Sequence, residues 1–157
     1  MSALFSSINL DSPLALYSIP VVWFSSFYPN TLKFLAIDKA IGYNNVQPRS
    51  NASKNLKERF SADEIAKFER MEGAHLNGNE AMPLWFAAVL AGYATGLDNR
   101  WLNKMALTYV GIRFAYNTVY IHFNDIGKGW FRSFLFFLGL SYPLRILFKA
   151  ASVAASK

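Results

Sequence analysis

The sequence predicts an all-α fold, an integral membrane four-helix bundle of up-down-up-down topology. Three observations predict it. The chain of 157 residues is 53% hydrophobic and 17% aromatic, with only 17% charged. That is greasier than an ordinary small soluble domain, and too short for several domains. Four apolar segments each approach the roughly 20 residues that cross a bilayer. The later connections are short, which favours antiparallel neighbours.

The first helix is predicted over residues 13–37, with Lys33 as its only charge and with Pro20 and Pro29 expected to bend it. Membrane helices tolerate such prolines when the freed carbonyls find other partners. The segment is not expected to be a cleaved leader, because no Lys or Arg precedes it and it exceeds a leader's apolar run. A polar loop follows over 38–60. The second helix is predicted over 61–97, opened by "SADE" at 61–64, in which Ser61 caps and Glu64 stands three residues on. Only its second half is apolar. The third is predicted over 99–123, with Arg113 near its middle, and the fourth over 130–150, with Pro143 inside. Trp101 and Trp130 stand at the predicted starts of these two, where interfacial tryptophans belong.

The net charge of +6 would point to nucleic acid in a soluble protein. Here it reads as basic residues at membrane edges, with no nucleic-acid partner. Without cysteine there is no disulfide framework, thiolate metal site or cysteine nucleophile. His75 and His122 do not have metal-ligand spacing, so no metal is expected. The first twelve residues carry no basic group, whereas the first loop carries Lys39, Arg49, Lys54, Lys57 and Arg59. That bias puts loop 38–60 in the cytosol and both termini across the membrane. It would also leave the "NAS" sequon at Asn51 unmodified.

The stretch "ERMEGAHLNGNEAMPLWF", 69–86, pushes polar side chains against membrane-grade sequence. At 100° per residue Arg70, Asn77 and Glu80 share an arc of about 80°, with His75 nearly opposite, read as a helix-surface or subunit-contact residue. Tyr109, Arg113, Tyr116, Asn117 and Tyr120 line one side of the third helix, and Arg132 and Ser133 lie near a membrane edge on the fourth. A charge at mid-bilayer costs roughly 3 kcal/mol on insertion scales, so Arg113 is expected to pair with Glu80, the nearest carboxylate by depth. Such a pair also serves as interhelical glue. Three arginines near one end exceed what glue requires and would form an anion-binding cleft.

That stretch resembles the helix-two signature of the MAPEG family, the membrane-associated proteins of eicosanoid and glutathione metabolism. The matches are Arg70, Ala74, His75, Asn77, Glu80 and Pro83. "NNVQPRS" at 44–50, "IRFAYNTVY" at 112–120 and "FRSFLF" at 131–136 resemble the loop, helix-three and helix-four motifs in order. The resemblance covers about 13–150. It implies a homotrimer of four-helix subunits in the endoplasmic reticulum or another internal membrane. It also implies glutathione as cofactor and a lipophilic small molecule as substrate. Carried over residue by residue, Arg70, Asn77, Glu80, Arg113 and Tyr120 would bind glutathione. Arg132 and Ser133 would activate its thiol by charge and hydrogen bonding.

The departures are specific. Two arginines used by the prostaglandin- and leukotriene-forming branch fall at Gly73 and Leu76, and a helix-four tyrosine of some members falls at Phe136. The expected function is a glutathione-dependent transferase or peroxidase acting on lipophilic electrophiles. The alternatives are a divergent enzyme that isomerises or tailors a hydrophobic metabolite without glutathione, and a non-catalytic membrane scaffold.

Overall fold

The computed structural model describes residues 9–47 and 56–157. The sequon at Asn51, together with Arg49 and Lys54, lies outside the described residues. Those described form four α-helices and no strand. A 3-10 turn, Leu14–Tyr17, leads into α1, Ser18–Ile41. Pro20 falls in the first turn, where its missing N–H is not needed, while Pro29 is buried inside the helix. The helix runs four residues beyond the expected end and stops at Gly42, whose φ of 68° is open to glycine at little cost.

The second helix, α2, is Ala62–Ala94, and its start is the expected capping box: the Glu64 amide donates to Ser61 Oγ, and the Ser61 amide donates to Glu64 Oε2 at 2.8 Å. It ends three residues short of the expected 97 in a Schellman motif. Gly96 takes φ 77°, its amide donates to Tyr93 O, and the Leu97 amide donates to Gly92 O at 2.9 Å. The third, α3, is Asn99–His122, capped by Asp98, which accepts from the Trp101 amide at 2.8 Å. The fourth, α4, is Ile126–Ala155. The glycines that argued for a loop to 129 sit in its first turn, so Trp130 lies one turn inside the helix rather than at its start.

Contacts between helices set the topology. Along α1 and α2, Ser18 meets Trp85, Ser26 meets Asn79 and Lys33 meets Glu72. Along α2 and α3, Arg70 meets Ile121, Asn77 meets Arg113 and Gly92 faces Leu102. Along α3 and α4, Tyr120 meets Arg132 and Trp101 meets Lys149. In each pair one number rises as the other falls, so successive helices run antiparallel and the bundle is up-down-up-down. Its core centres on Trp85, stacked on Tyr109 at 4.0 Å and donating through Nε1 to Ser18 Oγ at 3.0 Å. Leu102, Ile146 and Val22 close around it. The chain before α1 is tied to α3 by Asn103, which accepts from the Ala15 amide and donates to Leu10 O and Ser12 O.

The outside is apolar. Trp23, Phe24, Phe27, Trp130, Phe134, Phe137 and Phe148 are all exposed, Trp130 by 75%. Exposed apolar surface of this extent marks a membrane or protein contact in a stable protein. Among the described residues one helix, Gly129–Ala155, is long and apolar enough by itself to cross a membrane, with mean hydropathy 1.4. Four such segments were expected. The difference is chemical: α2 carries Glu72 and Glu80, α3 carries Lys104 and Arg113, and α1 interrupts its apolar run with Ser25, Ser26, Tyr28, Pro29, Asn30 and Lys33. Some of this charge is neutralised inside the bundle, as where Lys33, only 13% exposed, pairs with Glu72 at 2.6 Å.

Candidate functional site

Helix α2 presents polar groups on two sides, and the structure treats them differently. Toward α1, His75 Nδ1 donates to Ser26 O at 2.9 Å and Nε2 accepts from Asn79 Nδ2 at 3.1 Å. These partners set the ring proton on Nδ1. Ser26 Oγ donates to Asn79 Oδ1 at 2.7 Å. Gly78 lets the helices approach this closely, since a Cβ there would stand 2.6 Å from Ser26 Cβ. His75, read as a helix-surface or subunit-contact residue, is bonded into an α1–α2 seam within the chain.

Toward α3 and α4, two cavities adjoin. The outer one, about 320 Å³, is lined by Gly73, Leu76, Asn77, Glu80, Tyr116, Tyr120 and Arg132. It is open to the surroundings, and we call it the vestibule. The inner one, about 140 Å³, lies between α2, α3 and α4. Asn77, Glu80 and Tyr116 line both. Arg113 and Tyr109 line only the inner chamber, among Leu84, Ile112, Leu135, Phe136 and Leu140.

The expected Glu80–Arg113 ion pair is not formed. Arg113, 4% exposed, donates instead through a terminal nitrogen to Asn77 Oδ1 at 3.1 Å. Its guanidinium lies over the Tyr116 ring, 5.1 Å from the centroid. Its Nε and other terminal nitrogen are buried without a hydrogen-bond acceptor. Glu80 is exposed, with no ion partner among the described residues. The physical reason is register: Asn77 lies one turn nearer the cap of α2 and reaches the guanidinium first, leaving the Glu80 carboxyl to the cavities.

The other expected site residues divide. Arg132 and Tyr120 come together at the vestibule, the guanidinium 4.4 Å from the ring centroid, a cation–π contact that fixes the arginine's direction. Tyr120 itself is wedged against α2, where a Cβ on Gly73 would stand 2.5 Å from its hydroxyl oxygen. A side chain at 73 would therefore have to displace the Tyr120 ring from this position. Leu76 adds an exposed apolar edge. Arg70 is turned elsewhere: Nε donates to Ile121 O at 3.0 Å, satisfying one of the carbonyls that the end of α3 leaves unbonded. The Ser133 hydroxyl donates back to Gly129 O within α4 at 3.5 Å, at the outer limit of a hydrogen bond. Asn117, read with the arginine, faces α1 and donates to Ser25 O at 2.6 Å. Sequence reading missed the chamber wall, Leu84, Ile112, Leu135, Gly139 and Leu140, because nothing in these side chains marks chemistry.

The described residues thus form an antiparallel all-helical bundle, apolar on much of its outside, with a mostly apolar cavity between α2, α3 and α4 that adjoins a more polar one. The MAPEG family model matches residues 21–152, most of the chain, and the chain belongs to the MAPEG family. It is a family of membrane-associated proteins of glutathione-related or eicosanoid metabolism, whose members typically use glutathione. No curated protein and no solved structure is a significant match.

Proposed function

We propose that this protein is a membrane-embedded, glutathione-dependent transferase or peroxidase acting on lipophilic electrophiles. It would work as a homotrimer crossing an internal membrane such as the endoplasmic reticulum four times, with residues 38–60 on the cytosolic side. The observation that carries the reading is Arg132, held over Tyr120 at the mouth of a cavity that also presents Asn77 and Glu80.

The residues meet glutathione in size and in part of its charge. A volume of about 320 Å³ lies within the range of small-molecule pockets. The Arg132 guanidinium suits a carboxylate or a thiolate, and the Glu80 carboxyl suits the α-ammonium. The vestibule of one chain offers a single arginine for a ligand with two carboxylates. With its open side, that favours a site completed by a neighbouring subunit. Bound glutathione would supply the nucleophilic thiol. The chain's part is to hold negative charge beside Arg132, to orient the peptide through Asn77 and Glu80, and to keep the reacting end against apolar surface. Arg113 supports the site through its bond to Asn77. Ser133 is the next donor along α4, its hydroxyl only loosely held.

Glutathione titrated into the detergent-solubilised protein should bind saturably and produce thiolate absorbance, with conjugation of a generic electrophile. If neither binding nor thiolate is seen at millimolar concentration, the reading falls. A glutathione-independent enzyme or a scaffold on the same fold then takes its place.

A further inference from the structure

We propose that the inner chamber is a subsite for the second substrate, and that it admits a compact, neutral, arene-sized group rather than an extended acyl chain. Its role as a substrate subsite rests on reading the vestibule as the glutathione site. Its occupancy rests on geometry alone. The chamber holds about 140 Å³. A cavity of about 150 Å³ lined by Leu, Ile and Phe takes up benzene, so this partly open chamber matches one six-membered ring in volume. The wall is Leu84, Ile112, Leu135, Phe136, Leu140 and Pro143, which repels charge and accepts carbon. A ten-carbon alkyl chain has roughly twice the volume of one ring and would have to leave its remainder outside.

The chamber has one polar end. Asn77, Glu80 and Tyr116 line both cavities, so a ring seated in the chamber directs its substituent toward them and toward the vestibule. Arg113 and Glu80, one cation and one carboxyl on the same wall, balance in charge, which favours a neutral substituent over an anion. Gly139 keeps the space free: a Cβ there would already stand 3.4 Å from Ile112 Cγ2, and anything longer would enter the void.

The test uses the full chain in detergent without glutathione, followed by fluorine NMR of fluorobenzene. Saturable binding beyond micelle partition is expected, competed by benzene. Ala81 also lines the chamber, and Gly139→Leu and, independently, Ala81→Phe should each weaken binding by at least about tenfold by filling the void. Leu107→Phe on the exposed far side of α3 should leave it unchanged. Circular dichroism checks that each variant is folded, and either filling variant alone suffices. 1-Fluorodecane should show partition only. Wild-type binding in a folded filling variant overturns the proposal. So does saturable binding of 1-fluorodecane as tight as that of fluorobenzene, or no saturable binding of fluorobenzene at all. Because no glutathione is present, these outcomes are independent of whether the vestibule binds it.

Discussion

Between residues 75 and 80, α2 turns one polar face to α1 and another to α3 and α4, and the two are finished differently. On the α1 side, both ring nitrogens of His75, the hydroxyl of Ser26 and the amide of Asn79 have partners. On the other side Arg113 has one bond to Asn77 and two buried nitrogens without acceptors, and Glu80 has no ion partner among the described residues. Both faces carry hydrogen-bonding groups, so polarity alone does not separate glue from site. Satisfaction does. A seam that holds two helices closes its hydrogen bonds within the chain. A ligand site leaves donors and charges for something else to meet.

The sharpest way to break this contrast is to force the seam open. Gly78→Val puts carbon inside the space of Ser26, whose Cα would be 2.8 Å from the new Cβ. Such overpacking against backbone should cost about 3 kcal/mol, read as a lower unfolding temperature in detergent. A valine variant as stable as the parent would mean that α1 and α2 are not locked here. On the other face, Arg132→Ala should leave folding nearly intact and act on chemistry. Bringing a thiol from a pKa near 8.5 toward neutrality takes one to two pH units, about 1.4–2.7 kcal/mol of thiolate stabilisation. Losing it should lower conjugation about ten- to a hundredfold at neutral pH, and raising the pH should recover part of the rate. Phe136→Tyr, which adds a hydroxyl inside the chamber, should retain or raise the rate. Unchanged turnover in Arg132→Ala would remove that guanidinium from the mechanism.

The fold was legible in the sequence because helices announce themselves through run length and caps: Ser61 and Glu64 alone located the start of α2 to the residue. Ends were less legible. Glycines at 127 and 129 read as loop, yet the first turn of a helix tolerates them. The site was legible in part. Periodicity put Arg70, Asn77 and Glu80 on one arc of α2, and the motifs singled out Tyr120 and Arg132 without showing that they meet. Pairing was not legible, since depth along two helices cannot tell whether Arg113 meets the residue at 77 or the one at 80, a turn apart. Nor could spacing show that Arg70 is spent on the end of α3, because a cap needs a partner helix in place. The chamber left no trace, being defined by what its apolar residues fail to fill.

A smaller test compares the faces by removing one group. Ser26→Ala deletes the donor to Asn79 Oδ1, a bond of 2.7 Å. It should cost about 1 kcal/mol in stability and nothing in glutathione binding. A drop in binding with unchanged stability would make the seam part of the site after all.

The smallest expected effect on stability is the most telling. Had Glu80 and Arg113 formed a dry ion pair, Glu80→Gln would strand a buried cation and cost about 3–5 kcal/mol. The structure instead bonds Arg113 to Asn77 and leaves Glu80 exposed at the junction of the two cavities. Glutamine has the same shape and reach, so nothing in the bundle has to move. The unfolding temperature should therefore shift by the equivalent of no more than about 0.5 kcal/mol. Binding should respond where folding does not. A carboxyl that meets a ligand ammonium is replaced by a neutral amide, and a charged hydrogen bond is exchanged for a weaker one. That difference is worth about 1.4 kcal/mol, or tenfold in the glutathione dissociation constant. Calorimetric titration of the variant beside a thermal melt reads both quantities from one preparation. A large loss of stability would restore the ion pair as glue. Unchanged binding would take Glu80 out of the site.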